Sequence, residues 1–95
     1  MMNDFQQLIQ MGQQLQARMA KLQEELEAQS HRAAAGGGRV SATVDGKGGL
    51  TAISIEKAVV DPEDVEMLED LVLAAVAEAQ KKAREQYEKE MKNVA

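Results

Sequence analysis

Residues 61–91 read DPEDVEMLEDLVLAAVAEAQKKAREQYEKEM, a stretch with no glycine and with its one proline at the second position. Asp61 is a favourable capping residue and Pro62 suits the first helical position, so we predict a helix over residues 62–92. At about 1.5 Å per residue, this helix is about 45 Å long. A compact chain of this size has a radius of gyration of only about 12–13 Å. The helix must therefore project from the body.

The segment before this helix alternates between apolar and polar residues. Residues 39–60 read RVSATVDGKGGLTAISIEKAVV, in which Asp45-Gly46 is a strong signal for a hairpin turn. We therefore expect a β-hairpin region over residues 39–60, and any third strand should be short and lie near residues 58–60. Residues 33–38 (AAAGGG) have the composition of a flexible linker.

Another helix is predicted over residues 4–32, where Asp4 and Gln7 fit a capping box. Its apolar residues follow a heptad, as in a coiled coil, and most of its glutamines lie outside that seam. The seam consists of Phe5, Leu8, Leu15, Met19, Leu22 and Leu26. The elements together predict one domain over residues 1–95. Its fold is α+β, with two layers in the order α-β-β-(β)-α, a small antiparallel sheet and long projecting helices.

The apolar sides of two long helices need more partners than a chain of this size supplies. Apolar residues of the second helix fall within one arc of about 120°. We therefore predict an intertwined homodimer. The expected interface residues on the second helix are Leu68, Leu71, Val72, Ala75, Val76 and Ala79.

Charge and composition exclude several classes of protein. The net charge is −5, but six acids and no base lie within residues 61–70, where they complement the positive end of the helix dipole. The chain has no cysteine, so a disulfide framework and a thiolate metal site are excluded. The N-terminal residues lack the basic and apolar regions of a signal peptide, and no apolar run is long enough to span a membrane. We expect a cytoplasmic protein.

Catalytic motifs are weak. His31 is the only imidazole, and its neighbour Ser30 does not make a nucleophile–base pair, because that geometry is set by the fold. Residues 46–49 (GKGG) lack the spacing of a phosphate-binding loop and indicate a turn. We therefore predict that the protein is not an enzyme and has no cofactor or metal.

Basic residues are the main candidates for a binding site. They cluster on the first helix and on the outer half of the second. On the second helix, Glu78–Lys82, Glu85–Lys89 and Glu88–Lys92 have the i,i+4 spacing of ion pairs, which would neutralise the lysines. Such pairing and phosphate binding both remain open from the sequence. The candidate phosphate-binding residues are Arg18, Lys21, Lys81, Lys82, Arg84, Lys89 and Lys92.

Three stretches resemble the YbaB/EbfC family of nucleoid-associated proteins. They are MGQQLQARMAKLQEEL (11–26), GRVSATVDGKGGLTAISI (38–55) and VDPEDVEMLEDLVLAAVAEAQKKAREQYEKEM (60–91). The resemblance implies a homodimer whose paired helices project like tweezer arms, and it implies binding of double-stranded DNA in the nucleoid with bending or compaction. The alternative is an adaptor that docks onto a replication or recombination protein through its glutamine-rich helix without binding DNA.

Overall fold

The computed structural model describes residues 2–93 and shows an elongated chain of 77 × 18 × 16 Å with a radius of gyration of 20.4 Å. The order of elements is helix, three strands, helix. They are α1 (Met2–Glu27), β1 (Ser30–Ala35), β2 (Val40–Asp45), β3 (Leu50–Ile55) and α2 (Val65–Lys92). The predicted α+β class with an antiparallel sheet and long projecting helices is confirmed. None of the helices described over residues 2–93 has the length and hydropathy needed to cross a membrane.

The sheet has the strand order β1-β2-β3, and both pairings are antiparallel. On one edge Val40 of β2 pairs with Ala35 of β1, and on the other edge Val40 pairs with Ile55 of β3. The β2–β3 ladder is irregular between Thr43 and Val44. Directly paired residues point to the same face of a sheet. One face of the sheet is therefore apolar across all three strands.

Helix α2 lies over this apolar face and packs against β1 and β2. Val40 and Val44 of the central strand are fully buried beneath it. The helix presents Ala75, Ala79 and Ala83, which are buried at successive turns. Because alanine is small, the helix lies close to the sheet, and the core is thin.

The predicted boundaries between residues 28 and 60 were wrong. Residues 30–35, assigned to the end of the first helix and to the linker, form the edge strand β1. Residues 58–60, the expected place of a third strand, lie in and just after a short 3-10 turn (Lys57–Val59). Residues 30–35 form a strand because they pair with the free edge of β2 and are covered by α2. These tertiary contacts outweigh the helix propensity of alanine.

Helix α2 begins three residues later than predicted. Asp64, rather than Asp61, is the capping residue, and its carboxylate accepts a hydrogen bond from the Met67 amide at 3.2 Å. The Asp61 carboxylate instead accepts one from the Glu63 amide at 2.9 Å. A bond from an aspartate to the backbone two residues on forms a turn. Asp61 and Pro62 therefore belong to the turn that precedes the helix.

Over residues 3–27, helix α1 is buried against the body of the chain only in its last turns. Residues 3–18 are exposed, whereas Met19 and Leu22 are half-buried and Leu26 is buried. At the base of the helix, the Gly46 amide donates a hydrogen bond to the Glu27 carbonyl oxygen at 3.1 Å. The β2–β3 turn thus holds the end of α1, and the rest of the helix projects from the body.

Candidate nucleic-acid interface

All of the basic residues predicted to bind DNA are exposed. Two are on α1, where Arg18 and Lys21 lie one turn apart, and five are on the outer half of α2. The α2 residues are Lys81, Lys82, Arg84, Lys89 and Lys92. Exposure leaves these side chains accessible to a polyanion along both helices.

Lys82 and Lys89 line a cleft of about 380 Å³ on the β1 side of α2. His31 of β1 forms part of the same cleft, together with Glu85. The Lys82 ammonium donates a hydrogen bond to the Arg32 carbonyl oxygen at 3.0 Å. This bond holds the Lys82 side chain against the strand, so its ammonium group lies at the junction of helix and sheet.

Arg84 lies in a different cleft, of about 480 Å³, between α2, the β2–β3 turn and the base of α1. Lys47 of the turn lines this cleft as well, although it is not among the predicted binding residues. Residues 47 and 84 are far apart in the chain. Only the packing of the hairpin beside α2 brings them together, and no local pattern could have revealed it.

The three glutamate–lysine pairs that the spacing on α2 allows are not formed. Within residues 2–93, the one ion pair with an N–O distance below 4 Å joins Lys47 and Glu27, at 3.5 Å. The Glu90 carboxylate accepts a hydrogen bond from the side-chain amide of Gln86 at 2.9 Å and is not paired with a lysine among the described residues. In this arrangement the basic groups of α2 are not closed off by neighbouring carboxylates.

Charge is segregated along α2 and the turn that precedes it. Residues 61–70 contain six acids and no base, whereas residues 81–92 contain five bases and three acids. The two segments lie at opposite ends of a helix of 28 residues. A polyanion is therefore repelled from one end of the molecule and attracted to the other.

Two of the residues predicted for a dimer interface belong to the chain's own core. Ala75 and Ala79 are 0% exposed in the single chain, so a partner cannot reach them. Leu71 packs against Gly36 in the β1–β2 turn. The contact is so close that a Cβ atom added to Gly36 would lie 3.0 Å from the Leu71 Cδ2. The prediction assigned these residues to a dimer interface because the sequence does not show that the apolar arc of α2 packs against the sheet of the same chain.

The other three predicted interface residues line an apolar groove between α2 and β3. These are Leu68, Val72 and Val76, and they lie beside Leu73 and Ile55. Leu73 was not predicted as an interface residue. It is 70% exposed, which is unusual for a large apolar side chain beside an apolar strand.

A model of the YbaB/EbfC DNA-binding family matches residues 2–95. The chain belongs to this family. A nucleoid-associated protein of Clostridium acetobutylicum is 51% identical over 87 residues, which cover 92% of this chain and 78% of that protein. A nucleoid-associated protein of Chloroflexus aurantiacus is 46% identical over 85 residues, covering 90% of this chain and 85% of the relative.

The same fold occurs in a solved structure. The crystal structure of an uncharacterized protein from Helicobacter pylori superposes with a TM-score of 0.77 at 25% sequence identity, and the match covers 94% of each chain. The helix–sheet–helix arrangement with long helices is thus shared with a protein whose sequence differs at about three positions in four.

Proposed function

We propose that this protein is a non-enzymatic, nucleoid-associated protein that binds duplex DNA as a homodimer in the cytoplasm and bends or compacts it. The observation that carries the proposal is the match of a DNA-binding family over residues 2–95. The exposed basic residues of α1 and α2 give that activity a physical basis. No cofactor is required.

The proposed mechanism is electrostatic and depends on shape. Lysine and arginine side chains on projecting helices neutralise phosphates and release the counterions condensed on DNA, which is the main source of affinity in such binding. The chain has one phenylalanine, one tyrosine and no tryptophan. With so few side chains suited to stacking on bases or wedging between them, sequence preference is modest and arises from the deformability of the DNA.

Incomplete coverage of the sheet supports the homodimer. An α-helix is about 10 Å wide and strands lie about 4.8 Å apart, so one helix covers about two strands. Helix α2 covers β1 and β2. On the same face, the third strand leaves Leu50 49%, Ile53 40% and Ile55 40% exposed. The proposed occupant of this uncovered face is a second copy of the chain.

A two-fold symmetric contact suits this surface, because each chain then offers the other the same apolar groove. Helix α1 adds a second unpartnered apolar surface, since Phe5, Leu8 and Leu15 of its heptad seam are 66%, 64% and 56% exposed. Pairing of α1 with a helix of the other copy buries that seam. Two sets of basic residues are then held at a fixed spacing, which suits contact with phosphates on both sides of a duplex.

The runner-up function is an adaptor that binds a replication or recombination protein. It is favoured by one observation, the exposure of residues 3–18 on a glutamine-rich helix. Fluorescence anisotropy with a labelled duplex separates the two functions. Salt-sensitive binding at about 50 mM salt is expected for the DNA-binding protein, and no binding is expected for the adaptor.

Loss of basic residues should weaken DNA binding equally for unrelated sequences. Arg18→Ala, Lys21→Ala and Lys82→Ala are each expected to flatten the slope of log affinity against log salt by about one unit. The triple variant is expected to bind at least about tenfold more weakly at about 50 mM salt, because three phosphate contacts are lost together. Anisotropy titrations at several salt concentrations measure both quantities.

Lys57→Ala is the matched control for these variants. Lys57 is exposed in the turn before α2 and lines neither basic cleft. Its removal changes the net charge by the same amount as each single variant and should leave the salt slope unchanged. Wild-type affinity in the triple variant would overturn the assignment of these residues.

A further inference from the structure

The cleft between α2, the β2–β3 turn and the base of α1 has the charged side chains of an anion-binding site. Its walls bring Lys47 of the turn together with Arg84 of α2. Among the described residues that line the cleft, Glu27 at the end of α1 is the one with a carboxylate side chain. Two cations and one anion give the cleft a net positive charge.

The two cations differ in their existing partners. Lys47 is 3.5 Å from the Glu27 carboxylate, and the two side chains are 65% and 41% exposed. An ion pair this accessible to water contributes little, so a phosphate can replace the carboxylate at small cost. Within residues 2–93, the Arg84 guanidinium has no hydrogen bond or ion pair to another side chain. Its planar fork of donors suits the oxygens of a phosphate.

The backbone of the turn is not the phosphate-binding element. The Lys47 and Gly49 amides both donate to the Asp45 carboxylate at 2.9 Å, and the Gly48 amide donates to the Asp45 carbonyl oxygen at 3.0 Å. Gln80 of α2 donates its side-chain amide to the Gly48 carbonyl oxygen, also at 3.0 Å. These bonds fix the turn against α2. They make it a rigid support for the Lys47 side chain.

We propose that this cleft binds a phosphate group between Lys47 and Arg84, and that in the complex with DNA it is a phosphodiester of the backbone. The inference rests on the proposed function and extends it, because it places a DNA contact on the body of the protein, at the base of the projecting helices. Tyr87 lines the same cleft, and its hydroxyl is a further donor for the phosphate. A contact at the base fixes how deeply the duplex lies between the helices.

Three substitutions test the cleft, with Lys57→Ala again as the control. Lys47→Ala and Arg84→Ala should each flatten the salt slope of duplex binding by about one unit, and Lys57→Ala should not. Glu27→Gln should tighten binding at least about twofold, because it removes the carboxylate that competes with phosphate. All of these positions are partly or fully exposed, so the variants should fold, which circular dichroism checks.

The source of the phosphate is distinguished by NMR. We expect the side-chain Nε signal of Arg84 and the amide signal of Gly48 to shift when an unlabelled 12-base-pair duplex is added. Inorganic phosphate at millimolar concentration is the second probe. A shift with the duplex alone identifies the DNA backbone as the ligand, and a shift with both probes extends the site to free phosphate.

The inference is overturned if neither probe shifts these signals, or if Lys47→Ala and Arg84→Ala bind the duplex as Lys57→Ala does. This failure differs from failure of the proposed function, in which the wild-type protein binds no duplex at low salt. In that second case, the inorganic phosphate experiment alone decides whether the cleft is an anion site.

Discussion

Replacing Gly46 with alanine is expected to lower the free energy of unfolding by about 3 kcal/mol or more. A Cβ at this position would overlap the carbonyl oxygen of Leu26 and lie 2.9 Å from the Cα of Glu27. Both atoms belong to the backbone of α1, so no change of side-chain rotamer relieves the clash. The base of α1 must then separate from the β2–β3 turn. Urea unfolding followed by circular dichroism measures the loss.

Gly12→Ala is the matched control for this effect. Gly12 lies within α1, and a Cβ there would meet nothing within 4 Å apart from the neighbouring residues and backbone of its own helix. Alanine is the better helix former by about 1 kcal/mol, so this variant should be as stable as the wild type or more stable. If Gly46→Ala unfolds at the same urea concentration as the wild type, the described docking of α1 on the turn is wrong.

Leu73→Asp is expected to convert a dimer into monomers. The Leu73 side chain is 70% exposed in the single chain, so the substitution costs the isolated chain little. In the proposed dimer the same position is covered, and burying an unpaired carboxylate is costly. Light scattering at micromolar concentration should give twice the 10.3 kDa chain mass for the wild type and the mass of one chain for the variant.

The control for Leu73→Asp is Ala74→Asp. Ala74 is the next residue on α2, is also exposed and does not line the apolar groove. Both variants add one negative charge to the same helix, so only the groove distinguishes them. If both remain dimeric, the groove between α2 and β3 is not the interface.

The hairpin and the helices were predictable because their signals are local. Alternation from Val40 to Val44, followed by Asp45-Gly46, predicts two strands and a turn, and the structure has both. The edge strand β1 was not predictable in this way. Its alanines favour a helix, and only pairing with β2 makes them a strand. The start of α2 was predicted three residues too early, because Asp61 and Asp64 both have the chemistry of a helix cap and only Asp64 caps the helix.

Part of the candidate site also follows from local sequence. Lysines and arginines away from the apolar arc of a helix are expected to be exposed, as Lys81 and Lys89 are. The sequence does not reveal which face of α2 meets the sheet at each turn. Ala75 and Ala79 were therefore assigned to an interface although they belong to the core, and Lys47 was overlooked as a neighbour of Arg84.

Segregated charge along α2 gives the proposed complex an orientation. The acidic segment at residues 61–70 repels phosphates from one end of the body, whereas the basic outer half of α2 and the cleft of Lys47 and Arg84 attract them. The duplex is therefore expected at the end of the body that carries the base of α1, and the net charge of −5 does not prevent binding there.

Two copies of the chain are expected to bind one duplex through its phosphates. Native mass spectrometry of the protein mixed with a short duplex measures the stoichiometry of this complex. We predict a species of two chains and one duplex when the sample is prepared at low ionic strength, and its progressive loss as ionic strength rises. A spectrum with only free protein and free duplex, or with one chain per duplex, would show that the protein does not bind DNA as a dimer.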